Sequence, residues 1–114
     1  MSQPAPVDLQ ALLELTGGDD AFVRELTATY LDSSTANLRA IDEACGGGDL
    51  PALRRAAHSL KGASANMYAR GVAEAAAALE QSAANADHAA CQTAAERVRQ
   101  EFERAATYLR SVAT

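Results

Sequence analysis

The chain has 114 residues and a formal net charge of −5. Hydrophobic residues make up 48 % of the chain and aromatic residues only 4 %. This length suits one domain over residues 1–114, and the acidic balance argues against a general nucleic-acid-binding role, which needs a basic surface. No apolar run approaches the roughly 18 residues of a membrane span, and the N-terminus lacks the pattern of a secretory signal.

The N-terminal half of the chain predicts one short and one long helix. Residues 1–6 are expected to form a flexible lead, followed by a short helix over about residues 7–15 that ends at Gly17-Gly18. Asp19-Asp20 supplies an N-cap and first-turn charge for the long second helix, which we expect Gly46–Gly48 to stop. Its apolar residues fall at helical spacing: Phe22, Val23, Leu26, Tyr30, Leu38 and Ile41.

The C-terminal half predicts three further helices. Asp49 is expected to cap the third, a break is expected over residues 68–71, and a turn over residues 85–87 precedes the last helix. The expected core faces are, in chain order, Leu50, Leu53, Ala57, Leu60, Ser64 and Met67; Val72, Ala75, Ala76, Leu79 and Ala83; and Cys91, Ala95, Val98, Phe102, Ala105, Leu109 and Val112. The pattern predicts an all-α fold, an antiparallel four-helix bundle with a short additional N-terminal helix.

His58 is expected to face solvent. At about 100° per residue it lies roughly 130° from the core direction of the third helix. A mid-helix glycine costs about 1 kcal/mol relative to alanine, so Gly62, one turn beyond His58, indicates that another molecule must approach closely. Ser64 falls on the core side, where we expect a structural hydrogen bond. The neighbours of His58 on the helix surface are Arg54, Arg55, Lys61, Gly62 and Ala65.

The chemistry around His58 suits a phosphoryl group. Residues 49–70 contain four basic residues and one acidic residue, a local positive patch that fits a small anion or an acidic partner. The imidazole side chain has an ordinary pKa of about 6.5, so its neutral form is a good nucleophile at neutral pH. Lys61, one turn along, is close enough to reach phosphoryl oxygens on that ring.

The run AHSLKGASAN, residues 57–66, resembles the signature of the histidine-containing phosphotransfer (HPt) domain family: His, two residues, Lys-Gly, one residue, Ser. Leu79-Glu80 is similar to the Leu-Glu pair that the family usually carries on the following helix. The resemblance extends from the long second helix to the C-terminus. Two departures stand out: the family commonly has Gly-Ala where this chain has Tyr68-Ala69, and often has glycine where this chain has Ala65.

This resemblance implies a phosphorelay intermediate. His58 would accept and donate the phosphoryl group, Lys61 would stabilise it, and Gly62 would leave room for a response-regulator receiver domain. A hybrid sensor histidine kinase is a further expected partner. The expected partner-binding residues are Arg54, Arg55, Gly62, Ala65 and Tyr68. The identities of the upstream kinase and the downstream regulator, and the direction of phosphate flow, stay open.

The resemblance also implies that the chain needs no cofactor of its own, since the Mg²⁺ ion of such transfers belongs to the receiver. The chain has no ATP-binding segment or Gly-rich phosphate loop, so we do not expect it to phosphorylate itself from ATP. Cys45 and Cys91 are far apart in sequence and predict free thiols in a reducing cytoplasm. We expect a cytoplasmic monomer.

Three alternatives remain. The first is a helical binding module that performs no phosphotransfer. The second is a metal enzyme, although the chain has no Glu-x-x-His pair and its nearest cluster is Asp87, His88 and Cys91. The third is a fragment of a larger hybrid kinase, against which the initial methionine and the end just after the last helix favour a free-standing protein.

Overall fold

The computed structural model describes residues 5–112, which form five helices and no strand. The all-α class predicted from the sequence is therefore confirmed. The helices are α1 (Leu9–Leu15), α2 (Asp20–Gly47), α3 (Leu50–Asn66), α4 (Arg70–Ala84) and α5 (His88–Val112). Among α2 to α5, each helix packs against two of the other three: α3 lies against α2 and α4, and α5 lies against α4 and α2. The short α1 packs against α2. Within the described range, α3 and α5 are not backbone neighbours.

Aspartate side chains begin most of the helices. The carboxylates of Asp8, Asp19, Asp49 and Asp87 each accept a hydrogen bond of 3.0–3.1 Å from a backbone N–H in the first turn of the helix that follows. The predicted caps at Asp19 and Asp49 are confirmed. Because Asp8 is a cap, α1 begins two residues later than predicted. At its other end, α2 includes Gly46 and Gly47, and Gly48 caps it with φ +69°.

The break between α3 and α4 is confirmed, and it is a full turn that separates two helices. Tyr68 has φ +56° there, an uncommon conformation for a residue with a side chain. Its carbonyl oxygen accepts a hydrogen bond of 3.1 Å from the backbone N–H of Asp8. Val7, just before Asp8, is fully buried. Of the expected flexible lead, residues 1–4 lie outside the described part.

The core follows the predicted faces closely, with two exceptions. Phe22 is 47 % exposed and Val112 is 45 % exposed, so their predicted places in the core are wrong. Both lie in an end turn of a long helix, where helical periodicity gives a direction but no neighbouring helix covers the side chain. Leu26, Leu38 and Leu50 are half-buried, and the other predicted core residues are buried. No helix in residues 5–112 is both long enough and apolar enough to cross a membrane.

A buried hydrogen bond fixes the rotation of α3 about its axis. The hydroxyl groups of Ser64 and Tyr30 lie 2.8 Å apart in the core, which confirms the structural role predicted for Ser64. Burial raises the pKa of the Tyr30 phenol, so the group stays neutral. The Tyr30 ring packs against Phe102 with centroids 6.0 Å apart. With Ser64 held inward against α2, the opposite face of α3, which carries His58, points outward.

Candidate functional site

His58 lies on the outer face of α3, as predicted. Its side chain is 67 % exposed, although its neighbour Ala57 is fully buried. One ring nitrogen, Nδ1, lies 2.9 Å from Oε2 of Glu80 on α4. The ring is therefore anchored at one nitrogen, while most of the side chain is open to solvent.

Glu80 joins His58 to Lys61. The Lys61 ammonium group donates a hydrogen bond of 2.7 Å to Oε1 of Glu80, so each carboxylate oxygen has its own partner. These contacts lower the pKa of the Glu80 carboxyl, the hydrogen bond from Lys61 being the largest cause and that from His58 a smaller one. Only 19 % of the Glu80 side chain is exposed. The carboxylate is consequently ionised at neutral pH and held at a fixed position.

The ionised carboxylate determines which tautomer of the neutral imidazole is favoured. A carboxylate without a proton can only accept hydrogen bonds, so Nδ1 of His58 must carry the hydrogen and donate it to Glu80. The other nitrogen, Nε2, then has a free lone pair. Because Nδ1 is occupied by Glu80, the nitrogen available to an incoming electrophile is Nε2. The arrangement thus gives the neutral tautomer a defined reacting atom.

The helix surface beyond His58 is bare. Gly62 is exposed, and a Cβ atom built on it would meet nothing within 4 Å. Ala65, about one turn further, is exposed as well. No contact within the described fold therefore requires a glycine at position 62.

Four of the five predicted partner-binding residues divide between two grooves, and Gly62 lines neither of these. Arg54 and Arg55 line a groove between α3 and α4 that also contains His58 and Glu80. Ala65 and Tyr68 line a separate, mostly apolar groove against α2. The structure thus brings Arg54 and Arg55 together with His58, and places Ala65 further along α3 and Tyr68 in the turn that follows it.

Comparison with known proteins assigns the chain to a family. The family model for the Hpt domain matches residues 25–108, which include α3, α4 and most of α2 and α5. The chain belongs to the Hpt domain family. Members of this family are phosphotransfer intermediates of two-component signalling rather than kinases, and they interact with receiver domains and kinases.

Two solved structures resemble this Hpt domain. Histidine-containing phosphotransfer protein B (HptB) from Pseudomonas aeruginosa PAO1 is 30 % identical, with a TM-score of 0.87, over 96 % of this chain and 95 % of that one. The histidine-containing phosphotransfer protein ZmHP2 from maize is 21 % identical, with a TM-score of 0.81, over 95 % of this chain and 80 % of that one, and supports the fold. Among curated proteins, the comparison found no match.

Glu80 is the site residue whose role the sequence analysis missed. In the sequence, Leu79-Glu80 marks only the family resemblance, and the positive patch predicted over residues 49–70 takes no account of α4. The Hpt domain places the Glu80 carboxylate from the neighbouring helix against Lys61, so one of the positive charges is already matched. The available signal was an acidic residue directly after the fully buried Leu79, which puts it at the edge of the helix interface.

The cluster weighed as a metal site serves other purposes. Asp87 caps α5 by accepting a hydrogen bond of 3.0 Å from the Ala90 N–H, and Cys91 is buried. Among residues 5–112, no three His, Cys, Asp or Glu side chains are grouped so as to hold a metal ion. Cys45 and Cys91 are free thiols, as predicted, and burial raises the pKa of both.

Proposed function

We propose that the Nε2 atom of His58 accepts a phosphoryl group from the phospho-aspartyl side chain of a receiver domain, or from a hybrid sensor histidine kinase, and passes it to another receiver. The observation that carries this proposal is the hydrogen bond from Nδ1 of an exposed His58 to the ionised Glu80 carboxylate. The similarity to HptB, a histidine-containing phosphotransfer protein, supports it.

The bonds formed and broken in the transfer involve only His58 of this chain and the phospho-aspartyl side chain of the receiver. The Nε2 lone pair attacks phosphorus, a bond forms between Nε2 and phosphorus, and the bond between phosphorus and the aspartyl oxygen breaks. The aspartate leaves as a carboxylate. The imidazole ring gains positive charge as it is phosphorylated, and the Glu80 carboxylate at Nδ1–H stabilises that charge. The reverse sequence delivers the phosphoryl group to the next receiver.

The surrounding residues have supporting roles in this proposal. Lys61 holds Glu80 in place and contributes positive charge beside the phosphoryl group. Gly62 gives the receiver clearance, and Ala65 and Tyr68 extend the surface that it contacts. Mg²⁺ is supplied by the receiver, and the chain itself holds no cofactor. We further propose that α2 to α5 form an antiparallel four-helix bundle and that the protein acts as a cytoplasmic monomer.

The proposal is tested by following radiolabelled phosphate from a panel of phosphorylated receivers to the wild-type chain and to the His58→Gln variant. His88→Gln is the matched control, because His88 is also exposed but begins a different helix. We expect an acid-labile, base-stable label on the wild type and the control, and none on His58→Gln. Labelling of His58→Gln contradicts the assignment. Receiver binding without any transfer of label would make the chain a binding module.

A further inference from the structure

The positive charges around His58 are not equivalent. Lys61 forms an ion pair with Glu80, so its positive charge is partly offset by that carboxylate. Arg54 and Arg55, one turn before His58, are both exposed, and neither forms an ion pair within residues 5–112. The uncompensated positive charge beside His58 therefore comes from the two arginines.

The arginines share a groove with the reacting residue. A groove of about 800 Å³ between α3 and α4 is lined by Arg54, Arg55, His58 and Glu80. Side chains on a helix lean toward its N-terminus, so the His58 imidazole lies over the turn that carries Arg54 and Arg55. The remaining groove residues include small or apolar ones that leave room for a ligand: Leu50, Pro51, Ala83, Ala84 and Ala86.

We infer that Arg54 and Arg55 hold the phosphoryl oxygens on Nε2 of His58, while Lys61 stays on Glu80 and acts through its charge. This inference rests on the proposed function and gives the two arginines a direct role in stabilising the phosphorylated state. A phosphoryl group carries a charge of about −1.5 to −2 at neutral pH, which the two guanidinium groups match. Guanidinium groups also present paired N–H donors that fit phosphoryl oxygens better than an ammonium group does.

The test uses nuclear magnetic resonance on the ¹⁵N-labelled protein before and after phosphorylation with phosphoramidate. Nε2 displaces ammonia from this small donor: a bond between Nε2 and phosphorus forms, and the donor's P–N bond breaks. The ³¹P signal of phosphohistidine is assigned by its loss in His58→Gln. The variants Arg54→Gln, Arg55→Gln and the double variant are compared with Arg97→Gln, which removes an exposed charge from α5, a helix that is not a backbone neighbour of α3.

Two results are expected. Phosphorylation should shift the Nε–H signals of Arg54 and Arg55 and leave that of Arg97 unmoved. The pH midpoint of the ³¹P titration should rise by about half a pH unit in the double variant, because loss of exposed cations makes the dianion less favourable, and should not change in Arg97→Gln.

Failure of the inference and failure of the proposed function give different results. If phosphohistidine forms on His58 but the arginine signals stay in place and the double variant titrates like Arg97→Gln, the arginines do not hold the phosphoryl group. A ³¹P midpoint that moves only in Lys61→Gln would assign that role to Lys61 instead. If His58 takes up no phosphoryl group from phosphoramidate or from any receiver, the proposed function is wrong, and this inference is wrong with it.

Discussion

The two ends of α3 present different surfaces, although both belong to one 17-residue helix. The N-terminal half, with Arg54 and Arg55, lines a groove that contains the hydrogen-bonded pair His58 and Glu80. The C-terminal half, with Ala65, lines a mostly apolar groove against α2, which Tyr68 in the turn after α3 also lines. The N-terminal half is basic and suits the binding of an anion. The C-terminal half is bare, because Gly62 and Ala65 carry no long side chain, and suits contact with another protein. His58 lies where the two meet, so variants on either side should separate chemistry from docking.

The largest effect is expected from Gly62→Gln, which places a long side chain on the bare half. Transfer from a phosphorylated receiver should slow by roughly a hundredfold, because a displacement of about 1 Å in the docked complex can have that effect. Labelling by phosphoramidate, which needs no docking surface, should keep its rate because His58, Glu80 and Lys61 are unchanged. Stopped-flow transfer assays and ³¹P spectra measure the two rates.

Gly46→Gln is the matched control for this comparison. Gly46 is also a helical glycine whose Cβ position is free of contacts, but it lies near the C-terminal end of α2. We expect it to leave both rates unchanged. Equal slowing of the receiver and phosphoramidate reactions in Gly62→Gln would show that clearance for the receiver is not the reason for the glycine.

Lys61→Ala should slow transfer by about tenfold with both kinds of donor. The Lys61 side chain is about one third exposed, which places the effect at the lower end of the range for hydrogen bonds to charged groups, about 1.5–3 kcal/mol. Because Lys61 acts on the chemistry and not on docking, the receiver and phosphoramidate should be affected equally. Unchanged rates at low salt would remove this role, and Arg97→Ala controls for the lost charge.

Gly62→Ala should stabilise the fold by about 0.5–1 kcal/mol, because alanine has the higher helix propensity and its methyl group meets nothing within 4 Å. Urea denaturation followed by circular dichroism measures the change. A lower free energy of unfolding would mean that α3 packs against another element at this point, contrary to its open position in the structure.

The smallest effect concerns the dependence of stability on pH. The lowered pKa of Glu80 in the folded state means that its ion pair stabilises the protein above the ordinary carboxyl pKa. This contribution, expected to be below about 1 kcal/mol, is lost as pH falls through the ordinary range towards the lowered value. The free energy of unfolding of Glu80→Gln should therefore fall less on acidification than that of the wild type. Parallel curves for the two proteins would contradict this role.

The orientation of His58 could be predicted because it depends on one helix only. The repeat of buried residues in α3 fixes its inner face, and His58 and Gly62 follow on the outer face. The role of Glu80 could not be predicted in this way. Its contact with His58 depends on the position of α4 along the axis of α3, and the periodicity of each helix by itself does not determine that position. The errors at Phe22 and Val112 have a related cause, since the length of a neighbouring helix decides whether an end turn is covered.

The separation of α3 from α5 has a practical consequence for measuring these reactions. Because the two helices are not backbone neighbours, the exposed side of α5 can carry a fluorophore or a surface anchor without crowding either half of α3. Gln100 is exposed there and offers an attachment point. Replacing it with cysteine gives an accessible thiol, while Cys45 and Cys91 react slowly because burial raises the pKa of both. A sensor chip coated through this position would present His58 to every receiver in the same orientation.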